Sequence, residues 1–139
     1  MSYQGLLLPL AKMLSVIENP KVLEIGLNRG FSTSSLVHNL ISSCDSFTYE
    51  GVDVLLQKSV VSMLTSMHGS KVFGLGYNED NANVFLYEAN SLSFLPEKRD
   101  NGEKYDLILV DGDHNYATVL AELSFLKDMC HPTTVIVCD

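Results

Sequence analysis

The stretch Lys21-Val-Leu-Glu-Ile-Gly-Leu-Asn-Arg-Gly-Phe-Ser-Thr33 decides the fold: an apolar run breaks at an acidic residue and two glycines, then resumes as an amphipathic segment. It reads as strand, tight turn, helix. Val22, Leu23 and Ile25 suit a short strand buried on both faces, and Gly26 and Gly30 permit a turn in which backbone can approach a ligand closely. Ser32 or Thr33 can cap a helix whose apolar positions Leu36, Val37, Leu40 and Ile41 share one face. The helix begins where the strand's carboxyl end opens, and in an open parallel sheet that crevice is the ligand site.

The residues of the turn narrow the ligand. A dinucleotide fingerprint is G-x-G-x-x-G, whereas here Asn28 stands where a second glycine would admit a pyrophosphate. No G-x-x-x-x-G-K-[ST] loop occurs anywhere. Glu24, two residues before Gly26, puts a carboxylate beside the expected crevice, repelling phosphates and attracting an ammonium group. A cationic, phosphate-free nucleoside fits best.

Val-Leu-Glu-Ile-Gly-x-x-x-Gly-x-Ser-Thr resembles the first motif of the class I methyltransferases that use S-adenosylmethionine. The resemblance covers residues 22–139 and implies a Rossmann-like α/β fold, a doubly wound sheet of mainly parallel strands. It implies a cofactor site drawn from Glu24, Gly26, Asn28, Gly30, Ser32, Asp53, Asn90, Ser91 and Asp111.

Composition sets the outer bounds. At 139 residues and 46% hydrophobic content, one domain covering 1–139 is expected, large enough for a real core. A net charge of −8, with nine basic residues spread along the chain, argues against a grip on nucleic acid and favours a small substrate. The cysteines Cys44, Cys130 and Cys138 lack C-x-x-C spacing and read as buried reduced thiols of a cytoplasmic protein. Leu6-Leu-Leu-Pro-Leu10 is too short for a membrane span and lacks the flanks of a signal peptide.

Taken in order, residues 6–17 carry Leu6, Leu7, Leu10, Met13, Leu14 and Ile17 at helical spacing, ended by Pro20. A second strand over 47–52 leads to Asp53, placed to accept the hydroxyls of a ribose, with Glu50 as the competing carboxylate. A helix is expected over 56–67. Residues 69–83 read as a long polar loop, with room for a short strand at 72–75. A third strand at 84–87 ends at Asn90 and Ser91, where the methyltransferase pattern often has an acidic residue near the adenine. Asn90 can bond the adenine amine or cap the loop.

Residues 96–104 read as a charged turn, and Tyr105-Asp-Leu-Ile-Leu-Val110 as a central strand. Asp111-Gly-Asp-His-Asn-Tyr116 follows, then a helix with Tyr116, Val119, Leu120, Leu123, Leu126 and Met129 inward, and a fifth strand, Val135-Ile-Val-Cys138. This acidic loop resembles that of small-molecule O-methyltransferases, both the metal-dependent catechol and caffeoyl type and the sugar and macrolide relatives. Asp111 and Asp139 match the pair that holds magnesium in the metal-dependent members, and Mg²⁺ suits such hard oxygen ligands. Asp113 can act as a ligand or cap the next helix. His114, ordinarily titrating near pH 6.5, can serve as general base or hydrogen-bond the loop.

The function expected is methyl transfer from S-adenosylmethionine to an oxygen of a small-molecule acceptor. A non-catalytic nucleoside-binding or interaction protein on the same fold is the alternative, and a nicotinamide-dependent oxidoreductase a more distant one. Family members continue past the fifth strand with two more. Truncation is the favoured account of the ending at Asp139; a minimal form, or a second copy covering the Val-Ile-Val-Cys edge as a homodimer, are the others.

Overall fold

The computed structural model describes residues 4–62, 72–73, 76–79, 82–112 and 115–139. The strand that opens the decisive stretch, β1 (Lys21–Ile25), lies in the interior of the sheet. On one side it pairs in parallel with β2 (Phe47–Asp53), and β2 with β5 (Ala82–Glu88). On the other side it pairs in parallel with β6 (Tyr105–Val110), which pairs with β7 (Cys130–Cys138). Two short strands, β3 (Val72–Phe73) and β4 (Gly76–Glu79), add an antiparallel margin, giving the order β3-β4-β5-β2-β1-β6-β7. The chain runs outward from β1 in one direction and then returns to its other side. That reversal makes the carboxyl ends of β1 and its neighbours a topological switch point, where ligands bind in open α/β sheets.

The doubly wound α/β arrangement agrees with the reading of the sequence, and side-chain alternation along the strands explains it. Val22, Leu107 and Leu109 face one layer, formed by α1 (Leu7–Leu14) and α2 (Phe31–Ser43) through Leu7, Leu14, Leu36 and Leu40. Leu23, Ile25, Ile108 and Val110 face the other, formed by α3 (Ser91–Asp100) and α4 (Tyr116–Leu126). Each parallel strand thus needs apolar residues at odd and even positions alike. A helical segment at 58–62 adds Val60 to the α1/α2 layer. The remainder of the helix expected over 56–67 lies outside the described residues.

Several local expectations are corrected. Residues 96–104 are not a turn throughout, because α3 reaches Asp100 despite Pro96 in its interior. Asn90 starts it by accepting the Leu92 amide at 2.9 Å, and Phe94 and Leu95 bury beneath it. The fifth parallel strand begins at Cys130, not Val135. Its register with β6 jumps from Tyr105↔Cys130 to Leu107↔Val135. Thr134 pins the extra residues, its hydroxyl donating to the Tyr105 carbonyl at 2.6 Å and accepting from the His131 amide at 2.7 Å. Leu6, Met13, Ile41, Tyr116 and Leu120, read as inward, are exposed; Leu6 precedes α1 in a short 3-10 turn and Tyr116 is the first residue of α4. Cys44 and Cys130 are half-buried and Cys138 is exposed, so the buried-thiol reading holds only in part. No helix among the described residues is long and apolar enough to cross a membrane.

Candidate functional site

Three left-handed backbone positions shape the turn after β1: Gly26 at φ 85°, Asn28 at φ 52° and Gly30 at φ 85°. Asparagine is among the few non-glycine residues that tolerate this region. The requirement at Gly26 comes from the protein itself. A Cβ there would meet the Asp111 carbonyl oxygen at 2.3 Å, because the loop leaving β6 packs directly on the turn. The contact is sealed by the Asp111 amide donating to the Ile25 carbonyl at 2.8 Å and by Asn28 Nδ2 donating to the Asp111 carbonyl at 3.4 Å. Gly30 occupies the N-cap position of α2, so neither Ser32 nor Thr33 caps that helix as expected.

Asp53 fixes the turn from the other side. Its Oδ2 accepts the backbone amides of Leu27 and Asn28, each at 2.9 Å, so the end of β2 holds the loop after β1. The competing carboxylate, Glu50, faces the α3/α4 layer instead. There it is 5% exposed, accepts from the Tyr105 hydroxyl and pairs with Lys98 at 3.4 Å. Asp53 is therefore the carboxylate at the crevice.

Glu24 is displaced from its expected place. The carboxylate is fully buried beneath the turn, accepting from Thr33 Oγ1 at 2.9 Å and from the Tyr49 hydroxyl at 2.6 Å. Strand alternation aims position 24 into the α2 layer, so this carboxylate ties β1, β2 and α2 together.

Two cavities flank the turn and share Gly26 and Asn28. The larger, about 410 Å³, runs from the ends of β1 and β2 (Ile25, Val52, Asp53, Val54) to the start of α3 (Ala89, Asn90, Ser91, Leu92). It is closed by Gly112 and by Thr118 and Glu122 of α4. The smaller, about 320 Å³, lies between the turn, Phe31 and Ser32 at the start of α2, and Asp111. Of the residues proposed from sequence, Gly26, Asn28, Asp53, Asn90 and Ser91 thus meet around the first cavity, and Ser32 and Asp111 around the second. Gly30 supports the turn without lining either. Asp139 follows the Val110↔Cys138 pair, its amide bonded to the Val110 carbonyl at 3.0 Å, which brings it to the strand end beside Asp111. Asp113 and His114 lie outside the described residues. No cluster of three or more His, Cys, Asp or Glu side chains suited to a metal occurs among the described residues.

Glu122 was not anticipated. It is 1% exposed on the cavity wall, and its Oε2 accepts from the Ser91 hydroxyl, joining α4 to α3. The signal existed in the sequence, because Glu122 is the single charge in the Tyr116–Leu126 helix and falls on its buried stripe with Leu126.

A family model described as a methyltransferase domain matches residues 23–139. The chain belongs to that family. Among solved structures, this methyltransferase domain superposes on the O-methyltransferase from Bacillus cereus in complex with SAH (TM-score 0.70, 19% identity, 100% of this chain, 57% of that one). It also superposes on the SAM-dependent methyltransferase from Agrobacterium tumefaciens (0.67, 14%, 98% and 42%). The O-methyltransferase TomG from Streptomyces achromogenes gives 0.65 at 20% identity, over 98% of this chain and 54% of that one. The domain spans about two-fifths to three-fifths of the length of these structures, and at such identities the likeness concerns the fold. No curated protein sequence matches.

Proposed function

We propose that the domain binds S-adenosylmethionine across the glycine turn and directs its methyl group to an oxygen of a small-molecule acceptor held beside Asp111. One observation carries the reading: two cavities meet at Gly26 and Asn28, with the carboxylates Asp53 and Glu122 around one and Asp111 beside the other. Among the described residues no lysine or arginine lines the larger cavity. The acidic lining of the larger cavity disfavours the diphosphate of a dinucleotide, while Arg29 stands with Asp111 in the lining of the smaller one.

When bound, the sulfonium supplies an activated methyl group and a neutral thioether leaving group. The chain's part is alignment and proton handling. Asp53, anchored to the turn through Oδ2, presents its other carboxylate oxygen to the ribose hydroxyls. Asp111 is braced against the turn by its own backbone, which fixes the acceptor's position relative to the cofactor's reactive end. His114, two residues after the cavity-lining Gly112, takes the acceptor's proton. Asp111 and Asp139 at neighbouring strand ends would hold Mg²⁺, an ion commonly bound through one or two carboxylates and several waters, and it would acidify the acceptor hydroxyl.

Isothermal calorimetry tests the reading. S-adenosylhomocysteine is expected to bind the wild-type chain, whereas NAD⁺ gives no heat, and Gly26→Val abolishes binding. Heat from NAD⁺ with none from S-adenosylhomocysteine overturns it. The magnesium part has its own readout: chelation should slow methyl transfer to an accepted substrate while leaving S-adenosylhomocysteine affinity unchanged.

A further inference from the structure

We infer that Tyr49, acting through the buried carboxyl of Glu24, is a positioning residue for the amino acid end of the cofactor: together they set where the start of α2, and with it Ser32, stands in the smaller cavity. This rests on the cofactor reading above and goes further by assigning that placement to a fully buried side chain of β2 that lines neither cavity.

The brace is built into the strand pairing. Glu24 of β1 stands opposite Gly51 of β2, and Val22 opposite Tyr49. Positions 49 and 51 share a face of β2, so a side chain at 51 would fill the space between the Tyr49 hydroxyl and the turn. Glycine leaves that space open: a Cβ there would meet the Tyr49 hydroxyl at 2.8 Å and Leu27 Cδ2 at 2.9 Å. The tyrosine therefore reaches forward along β2, and its hydroxyl donates to Glu24 Oε1 at 2.6 Å. The same oxygen accepts from Thr33 Oγ1, 2.9 Å away in the first turn of α2. All three side chains are fully buried.

Two supports thus hold two sides of the turn. Asp53, on the wall of the larger cavity, takes the Leu27 and Asn28 amides. Glu24 takes Thr33, whose neighbours Phe31 and Ser32 line the smaller cavity and not the larger. Burial keeps solvent from replacing a hydroxyl removed from this carboxyl, so the carboxyl must shift toward the donors that remain. The shift is felt at Thr33 and the start of α2, while the Asp53 tether stays as it is. A buried hydrogen bond that only stabilised the fold would act on both cavities alike.

The test compares S-adenosylhomocysteine with 5′-methylthioadenosine, which keeps the adenosine and the sulfur but lacks the amino acid end, by calorimetry on the wild type, Tyr49→Phe, Thr33→Val and Thr33→Ser. Tyr49→Phe and Thr33→Val keep the shape of the buried side chains and remove one hydroxyl each. Both should weaken S-adenosylhomocysteine by about three- to tenfold, the scale of one net hydrogen bond, and change 5′-methylthioadenosine by less than about twofold. Thr33→Ser retains the hydroxyl and should bind both compounds at wild-type strength. Equal losses of the two ligands in Tyr49→Phe and Thr33→Val, or no loss of either, overturn this inference alone, whatever the unfolding midpoint does. Absence of wild-type binding to S-adenosylhomocysteine overturns it together with the cofactor reading. Should Tyr49→Phe fail to fold, the contrast between Thr33→Val and Thr33→Ser decides.

Discussion

Asp53 does two jobs that mutation can separate. Asp53→Ala leaves the Leu27 and Asn28 amides without their acceptor, at a cost of about 1–3 kcal/mol, seen as a lower unfolding midpoint in denaturant. Asp53→Asn keeps an acceptor oxygen for the turn, so its stability should fall less while affinity for S-adenosylhomocysteine drops by roughly tenfold. Equal losses of stability in the two variants would contradict the arrangement. At Gly26 no such separation exists. Even alanine places a Cβ 2.3 Å from the Asp111 carbonyl, so Gly26→Ala must displace the loop after β6 and lose stability and binding together. The cysteines illustrate a quieter consequence. Burial pushes the thiols of the half-buried Cys44 and Cys130 up, and at the more exposed Cys138 partial desolvation and then Glu122's charge act in the same direction. Alkylation of the native protein at pH 7 should therefore be slower than that of a free thiol.

Helix α4 is held at its start by Asn115, whose side-chain oxygen accepts the Ala117 amide at 2.9 Å. Asn115→Ala should cost about 1 kcal/mol by thermal unfolding. The same residue type begins α3 at Asn90, yet this helix escaped the sequence reading. Pro96 and the charged run after it masked an apolar stripe reduced to Phe94 and Leu95. By contrast β1, the glycine turn and α2 were legible because burial on both faces demands an unbroken apolar run, and the turn demands glycine. Glu24 was misplaced for a related reason. A carboxylate near a strand's end reads as a site residue, and nothing local reveals that Thr33 and Tyr49, from two other elements, supply its donors. The positions of Asp111 and Asp53 beside the cavities were legible because their strands end there, whereas that of Glu122 depends on the packing of α4 against α3.

Away from the crevice, the α3/α4 layer holds a buried polar group of its own. Glu50 accepts from Tyr105 and pairs with Lys98, whose ammonium lies 5.1 Å from the Tyr87 ring centroid and 5.4 Å from that of Phe94. Burial depresses Lys98, but the charge and hydrogen bond of Glu50, together with Tyr87 and Glu103, outweigh it and the net shift is upward. The folded pKa thus exceeds the unfolded one, so this contribution is complete below about pH 10 and fades as pH rises through the folded value. At the acid end, the hydrogen bond and charge of Lys21 hold Glu103 below the usual carboxylate range. Its contribution is present above about pH 4.3 and lost as pH falls through the lowered folded value. Glu103→Gln should therefore narrow the stability gap between pH 6 and pH 3 relative to wild type, measured by urea unfolding; an unchanged gap would contradict the pairing.

The molecule as a whole is organised by the strand-turn-helix at its centre, and the account depends on what lies across that turn. A crystal structure of the chain with S-adenosylhomocysteine measures this directly. The account predicts a ligand that spans both cavities, its ribose hydroxyls on Asp53 and its amino acid end toward Asp111. A ligand bound elsewhere, or both cavities unfilled at saturating concentration, would contradict it.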